Sequence, residues 1–79
     1  MHITIKAFNE ARPFTSGLPP DGTMHLEDGD TVKTALNALN IPSETQIALV
    51  IFCNGRPASP KTKLNKGDRL VIFAPMTGG

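Results

Sequence analysis

What the chain lacks narrows its function before any motif is read. It has one cysteine, Cys53, and neither tryptophan nor tyrosine. A lone cysteine cannot close an internal disulfide. It suits a reducing compartment, so a cytoplasmic location is expected. The start, Met1-His2-Ile3-Thr4, has no basic stretch leading into an apolar one, and no secretory signal is expected. The longest apolar run, Ile47 to Cys53, is seven residues, against the roughly 20 that a membrane-spanning helix needs. Charge of one sign is also missing. Eight Lys and Arg face seven Asp and Glu, a net charge of +1, which gives no reason to seek nucleic acid or an anionic membrane. Lys61, Lys63 and Lys66 are not interleaved with aromatic residues and read as a solvated turn. At 79 residues the chain holds one domain. A domain of this size buries only about 60–65% of the surface that its unfolded chain exposes. It is too small to wall off a deep catalytic cavity and is better suited to presenting a surface or an end.

What is present reads as alternating strands around one helix. His2 to Phe8 alternates, with Ile3, Ile5 and Ala7 on one face and His2, Thr4, Lys6 and Phe8 on the other. Asn9 to Gly22, with its prolines and glycines, reads as a long loop. Thr23 to Glu27 alternates again. Asp30 or Thr31 can cap a helix whose apolar stripe is Val32, Ala35, Leu36 and Leu39, ended by Asn40 and Pro42. Ile47 to Cys53, apolar on both parities, is expected as a buried strand, and Asn54-Gly55 as a tight turn into a short strand over Arg56 to Ser59. After the turn at Lys66-Gly67-Asp68, Arg69 to Ala74 forms the last strand, ended by Pro75. The predicted order is β-β-α-β-β-β, an α+β layer pair with one helix across one face of a sheet. The stripe should pack on Ile3, Ile5, Leu49, Ile51, Leu70 and Ile72. One helix cannot cover both faces, so Phe8, Phe52, Val71 and Phe73, on the opposite parity, should form an exposed apolar patch of the kind that meets partners, unless the long loop folds over it.

Most residues with chemical potential carry little signal. His2, His25 and Cys53 are scattered, with no spacing typical of a zinc site, and no metal is expected. One cysteine cannot hold an iron–sulfur cluster. Cys53 shares the parity of Ile47, Leu49 and Ile51 and reads as a buried structural thiol. Glu27, Asp28 and Asp30 suit the helix start better than a calcium loop. The end of the chain differs. A strand runs to Pro75, and four residues later the chain finishes in Gly78-Gly79. Two residues without Cβ can thread a narrow channel and let another backbone approach closely.

Cys53-Asn54-Gly55-Arg56-Pro57, then Leu64 to Pro75 with Gly67-Asp68 inside it, then Gly78-Gly79, resembles the bacterial and archaeal ubiquitin-like sulfur carriers: the small subunit of molybdopterin synthase and the thiamine-pathway carrier. The helix start Gly29-Asp30-Thr31-Val32 resembles them too, whereas Asn9 to Gly22 does not match their pattern. The resemblance implies a β-grasp (ubiquitin-like) fold, a mixed sheet of four to five strands packed on one helix. Residues 1–79 would form a single carrier domain, with 76–79 as a flexible tail. It implies no bound cofactor and no enzyme activity; the chain is a protein cosubstrate. An E1-like adenylating enzyme would use ATP to activate the Gly79 carboxylate, with Gly78 beside it. A sulfur donor protein would displace AMP and leave a thiocarboxylate. The large subunit of molybdopterin synthase, or a thiazole synthase, would receive the sulfur. The Ala74-Pro75-X-X-Gly-Gly ending favours molybdopterin. The alternatives are the thiamine thiazole, a modifier conjugated through Gly79, and a plain interaction module with an idle tail. Partner contacts are expected from Phe8, Phe52, Val71 and Phe73, and from Pro75, Met76 and Thr77 in the tail.

Overall fold

A computed structural model describes residues 1–74 of the protein. Strand β1 (His2–Phe8) pairs antiparallel with β2 (Thr23–His25) and parallel with β5 (Arg69–Phe73). On its other side β5 pairs antiparallel with β3 (Val50–Cys53), and β3 with β4 (Arg56–Ala58). The strand order is β2-β1-β5-β3-β4, so the first and last strands lie side by side in the middle of one mixed sheet. The two edges are strands of three residues each, and β4 carries Pro57. Short edges and proline both discourage pairing with other chains.

Helix α1 (Val32–Ala38) starts at Thr31, whose N–H donates to the Thr34 hydroxyl at 3.3 Å. Asp30 does not cap the helix; it accepts the Glu27 N–H at 2.8 Å and closes the preceding turn. Val32, Ala35 and Leu36 are fully buried, and Leu39, at the helix end, is nearly so. They belong to one apolar cluster with Ile3, Ile5, Leu49, Ile51, Leu70 and Ile72, so the predicted stripe and the predicted sheet face do meet. Burying one such aliphatic side chain contributes about 1.5–3 kcal/mol.

The structure corrects three predicted elements. Ile47 to Cys53 is not one strand. Ser43–Ala48 forms a second helix, α2, and β3 begins only at Val50. Helix α1 closes at Leu39 and Asn40, the latter at φ +59, and Pro42 serves as the N-cap of α2, its carbonyl accepting the Gln46 N–H at 2.9 Å. Ile47 points into solvent at 85% exposure, while Gln46 turns inward and donates its amide to Asn37 Oδ1 and to the Ile41 carbonyl, each at 2.8 Å. The observed order is therefore β-β-α-α-β-β-β, with two α-helices where one is predicted.

The second correction is the Asn9 to Gly22 loop, which is a strap with structure of its own. Its first half is a 3-10 helix, Asn9–Thr15, entered through Asn9 at φ +57. Ala11 is wholly buried, and Phe14 and Leu18 pack on the core cluster. The strap is anchored at Gly22, whose carbonyl accepts the Ile5 N–H at 2.9 Å. Gly22 sits at φ +75, and a Cβ there would lie 2.5 Å from the Ile5 carbonyl oxygen. Only glycine fits this position on both counts. The third correction is a trimming of ends: β2 stops at His25, β4 at Ala58 and β5 at Phe73.

Candidate functional site

Alternation along the central strands puts a different chemistry on the sheet face that α1 leaves open. The parallel register pairs Phe8 with Phe73, and the antiparallel register pairs Phe52 with Val71 and Val50 with Phe73. Phe8 and Phe73 stack, with ring centroids 5.2 Å apart and planes at 20°. Phe52 meets Phe73 edge-on at 6.0 Å and 87°. Phe8 is 42% exposed and Val50 45%; Phe52, Val71 and Phe73 are half-buried. The strap does not cover them. The four side chains expected on the partner face thus form one patch with Phe73 at its centre, and Val50 extends it.

Phe73 ends β5, and Ala74 follows. The patch therefore lies at the point where the chain leaves the sheet. The remaining candidate residues, Pro75, Met76, Thr77, Gly78 and Gly79, lie outside the described residues, as does the expected tail 76–79.

The turn motifs behind the family resemblance form a single tertiary clamp. Asn54, at φ +52, donates its side-chain amide to Asp68 Oδ1 at 2.9 Å and accepts the Arg69 N–H on its Oδ1 at 2.9 Å. Asp68 Oδ2 accepts the Asn65 N–H at 2.8 Å. The β3–β4 turn and the turn before β5 are thereby locked together, which holds β5 in register. Burial pushes the Asp68 carboxyl up, but hydrogen bonds from Asn65, Asn54 and Cys53 outweigh it and hold the group below the usual carboxylate range. Cys53 is half-buried, less enclosed than its parity suggests. Burial, the Asp68 charge and the hydrogen bond to Asp68 all push its thiol up. It stays protonated at neutral pH and is a poor nucleophile.

Sequence spacing did not bring His2 and His25 together, but the structure does. They face each other across β1 and β2 with ring centroids 5.1 Å apart, contrary to the reading of scattered histidines. Among the described residues, no group of three or more His, Cys, Asp or Glu side chains is placed to hold a metal ion. No helix there is long and apolar enough to cross a membrane.

Several solved structures share the architecture. SAMP1 from Haloferax volcanii is similar over 100% of both chains, with 22% identity and a TM-score of 0.76. A second structure, of the H. volcanii small archaeal modifier protein 1, covers 95% of this chain and 98% of its own at 20% identity and a TM-score of 0.72. A putative molybdopterin converting factor, subunit 1, from Pyrococcus furiosus gives the same coverage, identity and TM-score. These likenesses establish the β-grasp, ubiquitin-like fold. No curated sequence matches closely enough to count as a relative. The model of the ThiS family matches residues 5–79, all but the first four positions, and the chain therefore belongs to the ThiS family of ubiquitin-like sulfur carriers.

Proposed function

We propose that this chain carries sulfur on its own C-terminus for cofactor synthesis in the cytoplasm, and that molybdopterin is the product. The observation that carries the reading is that the family match runs through to Gly79, directly beyond a strand whose last side chain, Phe73, centres an open aromatic patch. The fold shared with a putative molybdopterin converting factor subunit supports the pathway.

A carboxylate resists substitution because oxide is a poor leaving group. In the proposed reaction an E1-like enzyme joins the Gly79 carboxylate to the α-phosphate of ATP and releases pyrophosphate. Sulfur at the sulfide level, supplied by a donor protein, attacks the acyl carbon. AMP leaves with the bonding pair, and a thiocarboxylate remains. The large subunit of molybdopterin synthase then takes the sulfur. The chain supplies no acid or base. Its parts in the reaction are recognition through the patch and presentation of an unhindered end, for which two glycines suit a narrow channel. Deleting Gly79 leaves the carboxylate about 3.5 Å short of the reacting centre, and a misplacement of about 1 Å can already cost about 100-fold in rate.

The test is intact-protein mass spectrometry after incubation with the activating enzyme, ATP and a sulfur donor. The expected product has one terminal oxygen replaced by sulfur, is absent from the Gly79 deletion and from a C-terminally tagged chain, and restores molybdopterin formation by the large subunit. An unchanged mass would overturn the carrier reading. A thiocarboxylate that feeds only a thiazole synthase would move the pathway to thiamine. The likeness to small archaeal modifiers favours one further reading, conjugation through Gly79. An isopeptide-linked ladder in cell extract would identify it.

A further inference from the structure

The only two histidines of the chain stand opposite each other at the edge of the sheet, His2 on β1 and His25 on β2. The backbone sets how close they come. The Met1 amine donates to the Leu26 carbonyl at 2.7 Å, and the Leu26 N–H donates to the Met1 carbonyl at 2.8 Å. Met1 and Leu26 are thus a hydrogen-bonded pair, and pairs along an antiparallel ladder alternate. His2 and His25 therefore form a non-hydrogen-bonded pair, the kind whose Cα atoms lie only about 4.5 Å apart and whose side chains come closest. On the other side of β1, the His2 carbonyl accepts the Gly67 N–H at 2.8 Å, so the strand is held from both sides. Both histidines are exposed, and their ring centroids are 5.1 Å apart at 66°. None of the side-chain hydrogen bonds among the described residues uses either ring. The pair is remote from the aromatic patch, because the six residues from His2 to Phe8 span about 20 Å along β1.

We infer that His2 and His25 together form a two-imidazole site for a divalent transition cation. Rings with centroids 5.1 Å apart can bring two nitrogens to the spacing of roughly 3 Å that bonds of about 2.0–2.1 Å to one cation require. The backbone is already in place, so binding asks only for small ring rotations. Among the described residues, no third His, Cys, Asp or Glu is grouped with the pair, and water completes the coordination. The donor set decides the class of metal. Imidazole suits zinc, copper and nickel, with Cu(II) the tightest of the divalent series, whereas Ca(II) and Mg(II) demand oxygen ligands. The position decides the consequence. β2 is a strand of three residues whose pairing within the sheet is to β1 alone. The chain between His2 and His25 holds the rest of β1 and the whole strap. A cation on both rings closes this long loop at its open end. It restrains the unfolded chain and staples the edge strand to the sheet.

The experiment titrates the whole chain, first stripped with a chelator, with Zn(II), and follows the histidine ring resonances by NMR and the urea midpoint of unfolding. Both rings should shift together and saturate at one equivalent, and the midpoint should climb with Zn(II), because a ligand that prefers the folded state stabilises it by mass action. Ca(II) should do neither. Cu(II) should bind more tightly than Zn(II). His2→Gln or His25→Gln alone should weaken binding about 100-fold, since either one destroys the chelate and leaves a single imidazole. The double variant should then be little worse than either single one. Cys53→Ser should bind as wild type, because Cys53 lies on β3, with β5 between it and β1. If the rings do not respond to Zn(II), or if either single variant binds it as the wild type does, the two-imidazole site is overturned and the pair is a cross-strand contact only.

Discussion

The two faces of the sheet are built from alternate residues of the same strands, yet they use different apolar side chains. The covered face carries Ile3, Ile5, Ile51, Leu70 and Ile72, all nearly inaccessible to solvent. The open face carries Phe8, Phe52 and Phe73 in mutual contact, with Val50 and Val71 beside them. Branched aliphatic side chains fill a closed space without polar atoms and with few rotamers, which is what a packed core requires. Aromatic side chains offer large contact area at low entropic cost and dominate the energy of interfaces. The contrast separates two tasks on one sheet. One face holds the domain together, and the other is left open for the partner proposed above.

The sharpest way to break this comparison is Leu36→Ala on α1. If the covered face supplies the stability, a urea titration should show a loss of about 2–5 kcal/mol, a large share of the margin of so small a domain. A loss under about 0.5 kcal/mol would mean that α1 is not the cover. Phe73→Ala is the converse. It should weaken binding to the adenylating enzyme by about 2 kcal/mol or more, measured by calorimetry, and reduce stability by less than Leu36→Ala does. If Phe73→Ala unfolds the domain, the division of tasks between the faces fails.

The division was largely legible in the chain because strand alternation is local. His2 to Phe8 and Arg69 to Phe73 display their parity without help from elsewhere, and the stripe of α1 has the i, i+3, i+4, i+7 spacing that identifies a docked helix. The six residues of α2 are too few to show a helical period, and Ile47 and Leu49 fit a strand equally well. Their true setting depends on Pro42 as a cap and on Gln46 finding partners in Asn37 and Ile41, contacts that no local pattern announces. The strap is similar. Gly22 looks like any loop glycine until the Ile5 carbonyl is seen against it. Asn54-Gly55 and Gly67-Asp68 were readable as turns, whereas their union in one clamp and the approach of His2 to His25 are tertiary facts.

Two smaller effects sharpen the picture away from both faces. The Asp68 carboxyl lies lower in the folded chain than in the unfolded one. Around its folded value the unfolded state binds more protons, so stability is fully present above pH about 4 and is lost as the pH falls through the folded value. Asp68→Asn should cost about 1 kcal/mol at neutral pH by weakening the clamp, and should flatten the acid limb of a stability–pH profile. An unchanged acid limb would exclude Asp68 as a contributor to it. The smallest effect is expected at Ile47. Despite its hydrophobicity it belongs to neither face, and Ile47→Ser should stay within about 0.5 kcal/mol of wild type. A larger loss in thermal melting would indicate that α2 buries more than its exposure suggests.

The central position of β5 has a consequence for the order of events during synthesis. The sheet cannot close around β1 until Arg69 to Phe73 has left the ribosome, because β5 is the strand that joins β1 to β3. Pairing the two ends of the chain is slow relative to local contacts, since the loop must be closed before the pairing is rewarded. Until then neither half of the aromatic patch has its partner, as Phe8 belongs to the first strand and Phe73 to the last. A nascent, truncated or unfolded chain therefore displays no complete aromatic patch. Recognition of that patch by an activating enzyme would also serve as an inspection that admits only finished, folded molecules.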